Sequence, residues 1–178
     1  TEEYNGTAWT SGGALNTGRQ GVNGFGTLTA AVAAGGYTST AVGNTEHYNG
    51  TAWTNSNTMA TAVRMYGTAG TQTAGLAFGG YIASPSSTRT NITQKYDGST
   101  WSTSPATLGT ARTVEGGGSG NQTAALATSG YPATSPSNTE ELNVSANVIT
   151  AGAFASTGNL GTARSQIAGF GATKDLSI

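Results

Sequence analysis

The sequence of 178 residues contains no cysteine and very little charge. The absence of cysteine excludes a disulfide scaffold and any metal site built on thiolates. Charged residues make up 8% of the chain, with a formal net charge of -1, whereas ordinary soluble domains carry roughly 25%. No basic patch could hold a phosphate backbone, so we expect no nucleic-acid partner. No apolar run approaches the ~18–20 residues that cross a bilayer, so we expect no membrane span.

The polar residues are instead Thr, Ser, Asn and 28 Gly. Threonine is β-branched and favours strands, while Gly and Asn supply turns, so the composition predicts an all-β protein. The length suits one domain with a real core. An uncharged, Thr-rich surface is typical of secreted, adhesive or virion-exposed β proteins. We therefore expect an extracellular location, or one on a virion or cell surface.

One heptapeptide, YNGTAWT, occurs at Tyr4–Thr10 and again at Tyr48–Thr54. A close relative, YDGSTWS, occupies Tyr96–Ser102. Asn-Gly and Asp-Gly are strong hairpin signals, because both central residues of a type I′ turn need positive φ. Each copy therefore predicts a tight hairpin flanked by Tyr and Trp. We expect each Trp to fill the space between neighbouring repeats, because a packing residue recurs with the repeat.

Other features recur in step with the heptapeptide. An arginine follows each Trp by some ten residues, and a fourth arginine closes the series; these are Arg19, Arg64, Arg112 and Arg164. Apolar segments ending in TAAVAAGGY, TAGLAFGGY and TAALATSGY come next, and each is followed by a polar loop. A period of about 40–50 residues with four short strands is typical of a β-propeller blade. We expect the periodic arginines to bind loop carbonyls.

The order of these features resembles the kelch repeat, best over residues 64–112. Arg64, Gly79-Gly80, Tyr96, Trp101 and Arg112 stand where that family places them. The resemblance covers essentially the whole chain and implies a β-propeller in which the first strand of each blade is innermost. The third repeat departs from the pattern, with TSGY for FGGY, Leu142 for Tyr, and Val148 in the place of Trp.

Because the first and last segments of the sequence supply complementary halves of one blade, we expect one propeller domain of four four-stranded blades over residues 1–178. Blade 1 is expected at residues 19–63, blade 2 at 64–111 and blade 3 at 112–163. Blade 4 would combine outer strands from residues 1–18 with inner strands from 164–178, which closes the ring without open edges. The alternative is a piece of a longer array of blades.

Candidate catalytic groups are few. His47 is the only histidine, and its repeat equivalents are Glu3, Lys95 and Glu141, which indicates a solvated strand face. The sequence GGGSG at residues 116–120 lacks the Lys-Ser/Thr of a phosphate loop. We therefore predict that the protein is not an enzyme, with no catalytic residue, no metal site and no cofactor.

Glu115 differs from the other carboxylates because it does not recur with the repeat. We place it on an innermost strand, where sister repeats carry Gly21, Met65 and Gln166. The favoured interpretation is a residue at the mouth of the channel that touches water. The alternative is an axial ligand for a cation or a sugar hydroxyl.

Variation concentrates in three loops, at residues 38–44, 82–92 and 132–138. Loops on a rigid scaffold commonly carry binding sites. The loops follow Tyr37, Tyr81 and Tyr131, and the second loop contains Arg89. An aromatic ring beside small hydroxyl residues is a platform for sugar or peptide, although these tyrosines could equally pack beneath their loops.

These features predict a non-enzymatic binding or structural module, adhesin-like or virion-fibre-like, that presents its loops to a glycan or protein surface. One alternative is a structural subunit that self-associates by exchanging the terminal strands between molecules. A second alternative is a polysaccharide hydrolase or lyase that uses Glu115 and a loop carboxylate.

Overall fold

The computed structural model describes residues 1–82, 88–115, 117–131 and 139–144. Within these ranges every regular element is a β-strand and every strand pairing is antiparallel. The predicted all-β class is therefore confirmed. The strands are β1 (Glu2–Tyr4), β2 (Trp9–Ser11), β3 (Asn23–Thr27), β4 (Ala30–Ala34), β5 (Thr45–Tyr48), β6 (Trp53–Ser56), β7 (Val63–Arg64), β8 (Gly67–Thr71), β9 (Ala74–Phe78), β10 (Tyr81–Ile82), β11 (Thr93–Tyr96), β12 (Trp101–Ser104), β13 (Gly118–Gly120), β14 (Ala124–Thr128) and β15 (Thr139–Asn143).

The larger sheets repeat one topology. Strands β3-β4-β5-β6 form a four-stranded meander, which we call the first sheet, and β8-β9-β11-β12 form the second sheet in the same order. The third sheet has β13-β14-β15 among the described residues, and β1-β2 and β7-β10 are two-stranded pairs. The two inner strands of each four-stranded sheet, β4 and β5 in the first and β9 and β11 in the second, are mostly buried.

Successive sheets meet along their first strands, with β8 in contact with both β3 and β13. Backbone hydrogen bonds connect the segments that lead into these strands, from Met65 N to Gly21 O and from Val114 N to Met65 O, both 3.1 Å. The approach requires glycine, since a Cβ on Gly118 would lie 2.3 Å from Thr68 O. The Gly-rich first strands therefore allow close lateral packing.

A glutamine in the first hairpin of a sheet also ties it to the preceding sheet. Gln72 Nε2 donates to the carbonyl oxygens of Ala31 and Tyr48, at 3.1 and 3.2 Å. Gln122 Nε2 repeats this contact one sheet later, donating to carbonyl oxygens of Gly75 and Tyr96 at 3.0 and 2.8 Å. Buried backbone acceptors are thereby satisfied at both sheet junctions.

Two apolar clusters fill the junctions. Phe25, Val32 and Tyr66 belong to the cluster between the first and second sheets, and Trp101 packs into it. Leu76, Phe78 and Val114 belong to the cluster between the second and third sheets. Each junction is thus a core in its own right, as expected of a repeat protein.

The repeated hairpins form, but their turns differ from the predicted two-residue type. Tyr4 pairs with Trp9, so the loop has four residues, Asn5 to Ala8. Asn5 Oδ1 accepts the backbone N–H groups of Thr7 and Ala8, both at 2.9 Å, and φ is positive at Gly6 alone within the loop. The side chain of Asn therefore replaces part of the turn's backbone hydrogen bonding. Asn49 and Asp97 make the same contacts in their own loops.

The three tryptophans have different environments. Trp101 is buried, contacts Phe25 edge-on at 6.1 Å and donates from Nε1 to Thr45 Oγ1 at 3.0 Å, so it fills a sheet junction as predicted. Trp53 is half-buried and donates to Thr1 Oγ1 at 2.9 Å. Trp9 is 65% exposed, so the prediction that it is a packing residue is wrong for this position. Val148, expected in place of the fourth Trp, lies outside the described residues.

Candidate functional site

Tyr37, Tyr81 and Tyr131 occupy the same position in three successive repeats. Each follows two residues with positive φ, and Ser129 adopts φ 58° where the other repeats have Gly. Each then pairs with the segment that leads into the first strand of its own sheet: Tyr37 with Gln20, Tyr81 with Arg64, and Tyr131 with Thr113. The tyrosines are therefore fixed by the repeat itself.

Two arginines stand between these three rings. The Cζ atom of Arg64 lies 4.7 Å from the ring centroid of Tyr37 and 5.0 Å from that of Tyr81. The Cζ atom of Arg89 lies 5.6 Å from the centroid of Tyr81 and 4.4 Å from that of Tyr131. All four distances are within cation–π range. We call these five residues the tyrosine–arginine ladder.

The ladder brings together four of the five predicted ligand-binding residues, namely the four that the loop pattern selected: Tyr37, Tyr81, Arg89 and Tyr131. It also contains Arg64, which the spacing had assigned to the structural arginines. The backbone hydrogen bonds between repeats correct that assignment. Gly36 N donates to Val63 O, and Gly80 N donates to Arg112 O, both at 2.8 Å. Val63 is therefore the equivalent of Arg112, and Arg64 lies one residue further along.

Arg19 and Arg112 do serve the predicted structural role. Arg19 Nη1 lies 2.5 Å from Glu46 Oε1, and both side chains are buried. Arg19 also donates to the carbonyl oxygens of Gly35 and Thr17, at 2.7 and 2.9 Å. Arg112 forms the same ion pair with Glu140 in the third repeat.

The second repeat replaces this ion pair with neutral residues. Val63 stands in the arginine position, and Gln94 stands in the position of Glu46 and Glu140. Gln94 Oε1 accepts from Thr61 N at 2.7 Å, and its Nε2 donates to Thr61 O at 3.0 Å. Adjacent residues in a strand point to opposite faces, so the one-residue offset directs Arg64 to the tyrosines. Gln94 was the sequence signal that could have separated Arg64 from the structural arginines.

Glu46 is held ionised by its surroundings. Burial by itself would raise the pKa of this carboxyl. The hydrogen bond from Arg19, the backbone N–H groups of Asn16 and Thr17, and the arginine charge together outweigh that cost and lower the pKa. Glu46 is therefore the ionised partner of Arg19 in the core.

Glu115 lies beside the ladder. It is exposed and sits in the turn before β13, whereas Val114 takes the backbone position equivalent to Met65. The expected alignment of Glu115 with Gly21 and Met65 is therefore one residue out of register. Glu115 and Tyr131 line the same surface hollow of about 370 Å³, together with Thr113 and Ser129.

His47 is not on a solvated face, as its repeat equivalents had suggested. It is half-buried at the first sheet junction, and its Nε2 lies 2.7 Å from the hydroxyl of Tyr96. The hydroxyl of Ser56 lies 2.7 Å from the same Tyr96 oxygen. Burial lowers the pKa of His47, because desolvation disfavours the charged imidazolium.

Among the described residues, no group of three or more His, Asp or Glu side chains is arranged to hold a metal ion. Over the same ranges, no helix has the length and apolar character needed to cross a membrane. The chain matches no model of a known protein family, and no curated protein matches it either.

Proposed function

We propose that the chain is a non-enzymatic binding module whose tyrosine–arginine ladder, with the adjoining loops, contacts a glycan or protein surface. The ladder is the observation that carries the proposal. It places two of the seven cationic residues of the chain beside three tyrosines, in a sequence of which charged residues make up only 8%. Tyrosine and arginine are the residue types enriched at recognition sites.

The loops beside the ladder support a binding role. Residues 38–44, 82–92 and 132–138 contain no Asp or Glu, and many of their residues carry hydroxyl groups. Tyr131 is 53% exposed at one end of the ladder. These segments supply neutral hydrogen-bonding groups and adjoin the ladder residues in the chain. We assign the protein to the outside of a cell or virion, in keeping with its uncharged, Thr-rich composition.

The scaffold we propose is a kelch-like propeller in which the first and second sheets are complete blades. Support comes from their identical strand order and from the contact of β8 with both β3 and β13. The β1-β2 pair then represents the outer half of another blade, and residues 164–178, outside the described ranges, would supply the inner half. If strands of a second molecule complete this blade instead, the chain is a self-associating subunit.

Glycan and protein arrays test the binding function. The wild type is compared with the double variant Arg64→Gln/Arg89→Gln and with Lys95→Gln, which removes one positive charge outside the ladder. We expect the wild type and Lys95→Gln to bind the same ligands, and the double variant to lose them. Binding that survives the double variant would place the contact surface elsewhere. No binding on either array would contradict the binding function and favour a purely structural one.

A further inference from the structure

We propose that the ladder selects acidic saccharides, with a carboxylate or sulfate group held at the edge of the Arg89 guanidinium. This inference rests on the proposed binding function and adds the chemical class of the ligand. Arg89 lies between the rings of Tyr81 and Tyr131. The guanidinium carries its N–H donors in a planar fork. That fork matches the two oxygens of a carboxylate or sulfate.

The donors of Arg89 are not used within the described part of the chain. Nε of Arg89 is buried without a hydrogen-bond partner. The ion pairs among the described residues are Arg19–Glu46 and Arg112–Glu140, so neither involves Arg89. An unpaired buried donor is costly, but Nε is closed off from solvent, so an anionic ligand would contact the other N–H groups of the same guanidinium.

Two guanidinium groups converge on one ring. Arg64 and Arg89 lie 5.0 and 5.6 Å from the centroid of Tyr81, so this part of the molecule carries two positive charges. The residues next to Arg89, over 82–92, contain no carboxylate that could offset the charge. The positive charge of the ladder favours an acidic ligand over a neutral one.

A saccharide fits the surroundings better than an acidic protein surface. The surface hollow beside Tyr131 is lined by the hydroxyl-bearing side chains of Thr113, Thr128 and Ser129. Those groups match the hydroxyls of a sugar. Glu115 shares the hollow beside Tyr131 and adds an acceptor for a sugar hydroxyl. The anionic group would therefore lie on the Arg89 side of Tyr131, and neutral hydroxyls on the Glu115 side.

Calorimetric titration with three oligosaccharides of equal length tests the inference: an oligogalacturonate, a sulfated galactose oligomer and a neutral galactose oligomer. We expect the wild type to bind one or both acidic oligomers more tightly than the neutral one. The carboxylate and sulfate arms show which anion is preferred. Arg89→Gln should weaken acidic binding by about tenfold or more, as loss of a charge-assisted pair implies. Arg89→Lys keeps the charge but loses the planar fork. Its affinity for the acidic oligomers should therefore lie between those of the wild type and Arg89→Gln.

The control variant is Lys95→Gln, and unchanged unfolding midpoints verify that all variants fold. Equal affinity for neutral and acidic oligomers would overturn the anion preference while leaving a saccharide-binding function intact. Equal losses of affinity for the acidic oligomers in Arg89→Gln and Lys95→Gln would show that the effect arises from net charge alone. That result would also overturn the inference. Binding of an Asp/Glu-rich peptide but of no oligosaccharide would make the saccharide class wrong. If none of these oligosaccharides or peptides binds, the inference is overturned. The glycan and protein arrays test the broader binding function separately.

Discussion

At the residue scale, Trp101 and Trp9 follow equivalent hairpins but have opposite environments. Trp101 is 8% exposed and contacts Phe25 and Thr45 of the neighbouring sheet. We predict that Trp101→Ala lowers the free energy of unfolding by about 3–5 kcal/mol, the range for truncating a buried aromatic. Trp9→Ala is the matched control, with an expected change within about 0.5 kcal/mol, as for an exposed site. Urea unfolding of both variants measures the difference, and equal losses would contradict the assignment.

His47 predicts a pH dependence of stability near neutrality. Its pKa in the folded protein lies below the usual value of 6.5 because the ring is partly buried. The folded state therefore disfavours protonation, so the contribution of His47 is complete above 6.5 and is lost as pH falls through the folded pKa. We expect the unfolding free energy to decrease between about pH 7 and pH 5.

The variant His47→Gln isolates this effect, because it removes the titrating group while keeping a polar side chain near Tyr96. Its unfolding free energy should change less over the same pH interval than that of the wild type. Glu46 titrates at lower pH, since its folded pKa lies below 4.5, and therefore does not obscure the comparison. Identical pH profiles for the two proteins would contradict the account of His47.

At the scale of elements, the first and second repeats show two solutions to one structural position. The first uses the buried pair Arg19–Glu46, and the second uses Val63 and Gln94. We predict that Glu46→Gln alone costs about 3–5 kcal/mol, since Arg19 loses its buried counter-charge. The double variant Arg19→Val/Glu46→Gln, which copies the second repeat, should be more stable than the sum of the single changes implies.

A double-mutant cycle from urea unfolding checks this exchange. The expected coupling energy between Arg19 and Glu46 is about 1–3 kcal/mol, as found for residues in one network. Glu46→Gln combined with Trp9→Ala serves as the control and should be additive. Additive losses for the Arg19 and Glu46 pair would show that the Val and Gln solution does not transfer between repeats.

The sequence predicted these elements to different extents. Hairpins were predictable because Asn-Gly and Asp-Gly mark them, but the four-residue loop was not, because it depends on Asn5 Oδ1 capping the backbone. The tyrosines were predictable as a group because they recur after the glycines. The ladder position of Arg64 was not, because spacing from Trp aligns it with Arg19, whereas backbone pairing shows a one-residue offset. A one-residue offset moves a side chain to the opposite face of the strand.

At the scale of the whole molecule, the proposed ring predicts a definite mass in solution. If residues 164–178 complete the blade begun by β1 and β2 within one chain, native mass spectrometry should show the mass of a single chain. Exchange between chains would instead produce a concentration-dependent series of oligomers. Arg64→Gln/Arg89→Gln is a suitable control, because neither residue belongs to the segments proposed to close the ring, and it should leave the oligomeric state unchanged.

The central claim is that ligands contact the tyrosine–arginine ladder, and the seven tyrosines of the chain allow a direct test. NMR spectra of protein with ¹³C-labelled tyrosine rings are recorded during titration with the oligosaccharide that binds best in calorimetry. Three buried tyrosines serve as internal references: Tyr48, Tyr66 and Tyr96. We predict that ring signals of Tyr81 and Tyr131 shift most, that those of Tyr37 shift less, and that the references stay constant. Saturation of the ligand site without any shift at the ladder tyrosines would contradict the claim.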